Sequence, residues 1–495
     1  MILRKVFTLA CFCTFMTVGL MGQTIQVNPA NPHYFLFEGK PTILITSAEH
    51  YGAVINKAFD YVPYLDALKA HELNYTRIYP GAMFETTDKW ISGNPVGPKP
   101  RDLILPWARS DQPGYISGGN KFDLDRWDPA YFARLKDFVA KAAKRGVVVE
   151  ICFFNSQYSD TWPITPLYYE NNIQGVGRCG WKDAQALGCD DLTRRETDYV
   201  RKITREVNSF DNVILEICDE CASIGTGVER AGPWVSAMVS AALDAERDLP
   251  KKHLVAQEVE GPFSGAMDFS ADPRLSIITG QYLRGTDPTE RGGEMGGLRG
   301  LDYKYGINKP IELNETDWYP IWYKGDQIAD MRVEAWEFIV GGGAGFNNLN
   351  GVYTPQNPAG KTPENEKILD ALQHLRHFME SFDFLKMRPD PGFVVSGLDG
   401  SDVHHRTISE AGSQYATYIH RSGDGSSAYT VKPGNYQEKL VVDLPEGNYK
   451  VDWVDPARGK VIATENLQHP GGYCVLSTPL YTVDIALRIK AQGRS

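Results

Sequence analysis

The chain has 495 residues, a formal net charge of −11, 11% aromatic residues, ten tryptophans and eight cysteines. That length suits two domains, or one large α/β barrel that carries insertions. The acidic balance, with no basic tract, argues against nucleic acid or an anionic membrane surface as a partner, and no stretch after the first 22 residues is apolar for long enough to cross a bilayer.

Residues 1–22 read as an export signal. Arg4 and Lys5 form a basic start, Val6 to Met21 an apolar run, and Gly19 and Gly22 offer small residues ahead of a cut before Gln23. A bacterial-type signal of this kind sends the mature chain to the periplasm or outside the cell, where disulfides are permitted. Six cysteines remain. Cys179 and Cys189 flank a short loop containing Gly and Trp and are the pair expected to bridge. Cys218 and Cys221 form a C-x-x-C with no second Cys or His pair at ligand spacing. Cys218 falls inside an apolar run, so these two read as buried small residues.

A small hairpin turning at Glu38-Gly39-Lys40 comes first, then a strand at 42–46 whose exit carries Glu49 and His50. Tyr61, Tyr64, Leu65 and Leu68 recur at i, i+3, i+4 and i+7 and predict a helix. The second strand, 75–79, has Arg77 near its exit. Residues 81–120, rich in Gly, Pro and Trp, read as a long loop with binding potential. Phe132, Leu135, Phe138 and Val139 mark a helix ending at Gly146, and 147–153 is the third strand. A loop over 155–190 with Trp162 and Trp181 leads to a helix at 193–208.

The run Val213-Ile-Leu-Glu-Ile-Cys218 is a strand of the fully buried kind, with Asp219 and Glu220 at its end. Helices at 230–247, 325–339 and 363–381 alternate with strands beginning near 253, 275, 309 and 343. Eight strands alternating with helices predict a (β/α)8 barrel over residues 23–385. After a linker at 386–392, short strands separated by turns such as Pro445-Glu-Gly-Asn448 predict an antiparallel β-sandwich over 393–495.

In such a barrel, chemistry sits at the C-terminal strand ends. Glu220 leaves the fourth strand and Glu315 the seventh. Along the seventh, a period of two puts Ile311, Leu313 and Glu315 on one face and Glu312 and Asn314 on the other. That assigns Glu315 to the site and Glu312 to a structural pairing, while Glu216, mid-strand, sits deep in the barrel beside a base. Two carboxyl groups facing each other across a site are what cleavage of a glycosidic bond requires. The plentiful aromatics fit stacking on sugar rings.

The segment from Tyr199 to Asp219-Glu220 closely resembles the strand-four region of clan A glycoside hydrolases, especially family 5-like enzymes. Lys309-Pro-Ile-Glu-Leu-Asn-Glu315 resembles their strand seven, Asn74-Tyr-Thr-Arg77 their strand two, and Tyr282 the end of their strand six. The resemblance covers roughly residues 34–385. It implies a retaining glycosidase with Glu220 as acid/base and Glu315 as nucleophile, Arg77 beneath the nucleophile and Tyr282 hydrogen-bonded to it. The sandwich resembles accessory domains of bacterial secreted glycosidases.

One position departs from the pattern. The family's Asn before the acid/base is Asp219 here. An ionised Asp only accepts hydrogen bonds, so its contact with a sugar 2-hydroxyl would change sense. Its charge would also raise the pKa of Glu220 if both side chains face the pocket. Glu49, His50, Trp318 and Asn347 complete the expected sugar contacts, with Trp90, Trp162 and Trp181 as weaker ones. No cofactor or metal is called for, since His404 and His405 are adjacent on a strand and face opposite ways. A non-catalytic carbohydrate-binding protein on the same scaffold, or a transglycosidase, is the competing expectation.

Overall fold

A computed structural model describes residues 23–88, 94–222, 225–259, 267–283, 297–317, 326–424 and 429–493. The expected export signal, Trp90 and Trp318 lie outside the described residues.

The eight expected barrel strands are present: β1 (Leu44–Ala48), β2 (Tyr75–Ile78), β3 (Val148–Asn155), β4 (Val213–Asp219), β5 (Leu254–Glu258), β6 (Ile277–Gln281), β7 (Ile311–Asp317) and β8 (Gly345–Leu349). They pair in parallel in the order β1-β8-β7-β6-β5-β4-β3-β2. Every residue of β3 and β4 is buried, as strands covered on both faces must be. The seam between β1 and β2 is bridged by Asn74, whose backbone N–H donates to the Ile45 carbonyl at 3.3 Å. The Asn74 side chain, just before β2, accepts from Ile45 N at 2.9 Å and donates to the Ile43 carbonyl at 2.9 Å.

Helices α1 (Tyr61–Ala70), α2 (Pro129–Ala143), α3 (Asp190–Val207), α4 (Val228–Glu246), α5 (Gly297–Lys304), α6 (Gln327–Val340) and α7 (Pro363–Glu380) surround the strands. Tyr61, Tyr64, Leu65 and Leu68 form the buried face of α1, as their spacing requires. Asp60, Asp128 and Thr362 cap α1, α2 and α7, the last two followed by Pro at the first helical position.

Three features depart from expectation. Helix α5 is additional, and among the described residues no helix stands between β5 and β6. Residues 81–120 are not all loop: Trp107–Pro113 pairs antiparallel with Asn120–Trp127. Trp107 stacks on Trp127 at 5.9 Å and on Tyr199 of α3 at 5.3 Å, pinning this hairpin to the barrel wall.

The C-terminal strands form two antiparallel sheets. One has the order β9 (Val403–Glu410), β10 (Gln414–Asp424), β13 (Asp484–Ala491), β11 (Gly447–Asp455), β12 (Lys460–His469). Arg388–Pro389, inside the expected linker, pairs with the edge of β9. The other sheet joins Val394–Ser396, Lys439–Leu444 and Gly472–Ser477. Ile419, Leu440, Val442, Trp453 and Leu487 fill the space between them. The first sheet docks on α6: Trp336 lies 5.4 Å from Tyr418, Arg332 pairs with Asp484 at 2.8 Å, and Glu337 with His420 at 3.0 Å. No helix among the described residues is long and apolar enough to cross a membrane.

Candidate active site

Arg77 lies buried on β2 and organises the barrel mouth. Its Nε donates to Glu216 Oε2 at 2.7 Å and its Nη2 to Glu216 Oε1 at 2.8 Å, a bidentate fork. Nη2 also donates to Asp219 Oδ1 at 2.6 Å, and Nη1 to Glu315 Oε2 at 3.1 Å and the Tyr51 phenol oxygen at 2.9 Å. The Tyr51 hydroxyl donates to the same Glu315 oxygen. One guanidinium thus serves three carboxyl groups from β4 and β7. Burial pushes the Glu315 carboxyl above its ordinary value and the charge of Asp219 adds to that, while Arg77, Tyr51 and His50 pull it back. A layer deeper, burial and neighbouring carboxylates raise Glu150 and Glu312, which take hydrogen bonds from Tyr75 and Thr279 respectively.

Glu315 reaches this place by a different route from the one a regular strand provides. Glu312 and Asn314 point into the barrel: Glu312 accepts from Thr279 at 2.9 Å and Asn314 donates to Glu216 at 2.9 Å. Leu313 faces outward, near Gly297 of α5. The register of β7 shifts against β6 at Gly280/Gln281 and against β8 between Leu313 and Thr316. That irregularity turns Glu315 inward beside Asn314. The expected face-sharing of Ile311, Leu313 and Glu315 is therefore corrected, although the residue it selected is the one beside Arg77.

Glu220 follows β4 in the left-handed region, at φ 50°. Its N–H donates to Glu258 Oε2 at 2.6 Å, Ser156 Oγ donates to its carbonyl, and the Tyr158 hydroxyl donates to its Oε2 at 3.0 Å. Tyr51 and Tyr282 also have positive φ, 56° and 53°, at the exits of β1 and β6. Such conformations are costly for residues with a Cβ and cluster at functional sites. Here two of them, Tyr51 and Tyr282, touch Glu315.

Glu220 is also enclosed covalently. Cys218 and Cys221 form a disulfide, with Cα atoms 5.8 Å apart, whereas Cys179 and Cys189 are free thiols. This corrects both cysteine expectations. The turn after β4 folds Cys221 back toward the strand's last apolar residue, to within bonding range.

Asp219 is 1% exposed. Arg77 and Gln281 (2.7 Å) donate to Oδ1, and Tyr79 (2.6 Å) and Asn155 (2.6 Å) to Oδ2. With both oxygens taken, it lies beneath the pocket surface, and its charge bears on Glu315.

Glu49, His50, Asn347 and Trp162 are likewise buried in the scaffold. Glu49 accepts from the N–H groups of Gly52 and Ala53 at 2.7 and 3.2 Å, shaping the β1 loop. His50 lies 3.2 Å from Glu85 beside Tyr51 and Tyr79, around a cavity of about 10 Å³. Asn347 accepts from Ala48 N at 3.1 Å and donates to the Asn314 carbonyl at 2.9 Å. Tyr282 N donates to the Glu315 carbonyl at 2.9 Å, and the Tyr51 phenol donates to the Glu315 carboxylate. Trp162 is buried and donates to the Cys179 carbonyl at 3.0 Å. Trp181 packs so closely on Gly225, in the turn after Glu220, that a Cβ there would meet its ring at 2.2 Å. Tyr51, Tyr79, Asn155, Tyr158, Glu258 and Gln281 were not anticipated. All six sit at or just past a strand end, which is the signal that would have found them.

No protein-family model and no curated protein matches the sequence. Solved structures do match. One described as a glycoside hydrolase has a TM-score of 0.62 at 13% identity, over 96% of this chain and 98% of its own. A glycoside hydrolase family 5 structure from Bacteroides vulgatus has a TM-score of 0.62 at 12% identity, over 95% and 94%. Both matches extend over nearly the whole chain, so what is shared is the fold: a (β/α)8 barrel followed by a β-sandwich.

Proposed function

We propose that the protein is a retaining glycoside hydrolase acting on the O-glycosidic bonds of an oligo- or polysaccharide, with Glu315 as nucleophile and Glu220 as acid/base. The observation that carries this is the Arg77–Tyr51–Glu315 contact at the end of β7, in a barrel whose β4 ends in a second carboxylate, Glu220, on its own turn. Arg77 and the Tyr51 hydroxyl both favour the ionised form of Glu315 needed for attack on the anomeric carbon. Glu220, half-buried and hydrogen-bonded by Tyr158, protonates the leaving oxygen and then takes a proton from the water that frees the sugar. The shared architecture with glycoside hydrolases supports this reading.

Asp219, in place of the family's Asn, is the feature that would favour a binding protein without catalysis. It is accommodated by four donors and leaves both candidate carboxylates in place. Export through residues 1–22 fits a chain with a disulfide beside its site. A panel of aryl glycosides tests the proposal. Hydrolysis lost in Glu315→Ala, with the released sugar first seen by NMR in the substrate's anomeric configuration, supports it. Inverted product, or activity that survives Glu315→Ala, overturns it.

A further inference from the structure

The C-x-x-C disulfide closes a ring whose two inner residues are Asp219 and Glu220. A cross-link between residues three apart closes a very short loop, where the gain in chain entropy is smallest. Both cysteines are fully buried, and Cys218 is already fixed in β4, so stability gives the bond little reason to exist. Its location gives a better one. Asp219 must stay under Arg77 while the next residue points its carboxyl elsewhere, and that reversal requires the left-handed backbone of Glu220. Two glutamines hold the ring from outside. Gln185 Nε2 lies 3.4 Å from Cys218 Sγ and donates to the Asn155 carbonyl at 2.7 Å, and Gln257 donates to the Cys218 carbonyl at 2.9 Å. The Glu220 N–H is tied to Glu258 and its carbonyl to Ser156. Everything around the turn fixes its backbone.

We infer that the Cys218–Cys221 disulfide is a positioning device for the general acid: it holds the Glu220 turn in its left-handed form so that the carboxyl meets the leaving oxygen. The inference rests on the acid/base role proposed for Glu220. A misplaced general acid has a distinctive signature. Glycosides with poor leaving groups need the proton and slow strongly, while those with a dinitrophenolate leaving group need it little. General structural damage slows both alike.

The test has two arms. Peptide mapping of the full-length protein without reduction should find Cys218 joined to Cys221 and Cys179 and Cys189 as thiols. Free thiols at 218 and 221 overturn the inference whatever the activity. The double variant Cys218→Ala/Cys221→Ala, folded by circular dichroism, should lose roughly 10- to 100-fold in kcat/KM on an alkyl glycoside. On the dinitrophenyl glycoside kcat/KM, which reports the glycosylation step alone, should fall only about threefold or less, as expected where little acid catalysis is needed, while kcat and KM fall together because the same carboxyl activates the water that frees the sugar. Equal losses on both substrates, or none, overturn it. A Glu220→Ala control separates the two claims: full activity in that variant on the alkyl glycoside refutes the acid/base role itself, while the mapped bond stands.

Discussion

Among the described residues, two of the buried clusters of charge are built on opposite principles. Where the sandwich meets α6, charges are balanced. Glu337 faces His420 at 3.0 Å and Arg406 at 3.5 Å, and Arg332 faces Asp484 at 2.8 Å. Burial works to raise the Glu337 carboxyl, but His420 and Arg406 outweigh it and hold it at about 2. At the barrel mouth, one Arg77 serves Glu216, Asp219 and Glu315, and burial and Asp219 win over the cation at Glu315. At the α6 joint the Glu337 carboxyl is held ionised and inert. A surplus of carboxylates around one guanidinium leaves a group whose protonation is open to adjustment, which is what catalysis uses.

The contrast breaks most visibly at Glu315. Glu315→Gln should lower kcat by about 10⁴-fold or more, because the attacking oxygen is gone, and steady-state hydrolysis measures it. Glu337→Ala should do the reverse. Activity in the folded protein should persist, while urea titration shows a loss of about 3–5 kcal/mol from the charges left unpaired. The folded pKa of Glu337 is depressed, so its contribution is full above the ordinary carboxylate value of about 4.3 and is lost as pH falls toward about 2. Stability of the wild type should therefore fall in that window more steeply than that of the variant.

Smaller effects sharpen the picture of the hub. Asp219→Asn removes a negative neighbour that raises Glu315, so the acid limb of kcat/KM against pH should move to lower pH. Its amide would also face donors, at a cost of about 1–3 kcal/mol. Tyr51→Phe removes a hydrogen bond that favours the ionised form, so the same limb should move the other way, to higher pH, with a loss of a few-fold, about the worth of one hydrogen bond. Shifts in the same direction for both variants would contradict the assignment of Glu315 as the group on that limb.

The barrel was legible because its strands are apolar runs and its helices repeat at i, i+3 and i+4, patterns imposed by burial on two faces or one. The hairpin at Trp107–Pro113 and Asn120–Trp127 shows neither pattern, since its strands pack on the barrel rather than forming its wall. The site was half legible. Arg77, Glu220 and Glu315 stand out as charges at the ends of apolar strands. The contacts of Glu315 depend on an irregularity in β7 that no periodicity reveals, and on Tyr51, brought in by a left-handed residue in a loop. Glu49 and Asn347 show the converse: polar residues at strand exits that bind backbone within the scaffold. The disulfide was missed because Cys218 reads as the last apolar residue of β4, and only the turn geometry shows that Cys221 returns to meet it.

The most direct test is to catch the nucleophile. The wild-type protein would be incubated with a panel of 2-deoxy-2-fluoro glycosides carrying activated leaving groups, which form the glycosyl-enzyme and hydrolyse slowly. Peptide mass mapping of the inactivated protein should place the sugar on Glu315, with no label in Glu315→Gln. A label on Glu220 or another carboxylate, or turnover of the parent glycoside with inversion and no label, would contradict the roles assigned to this site.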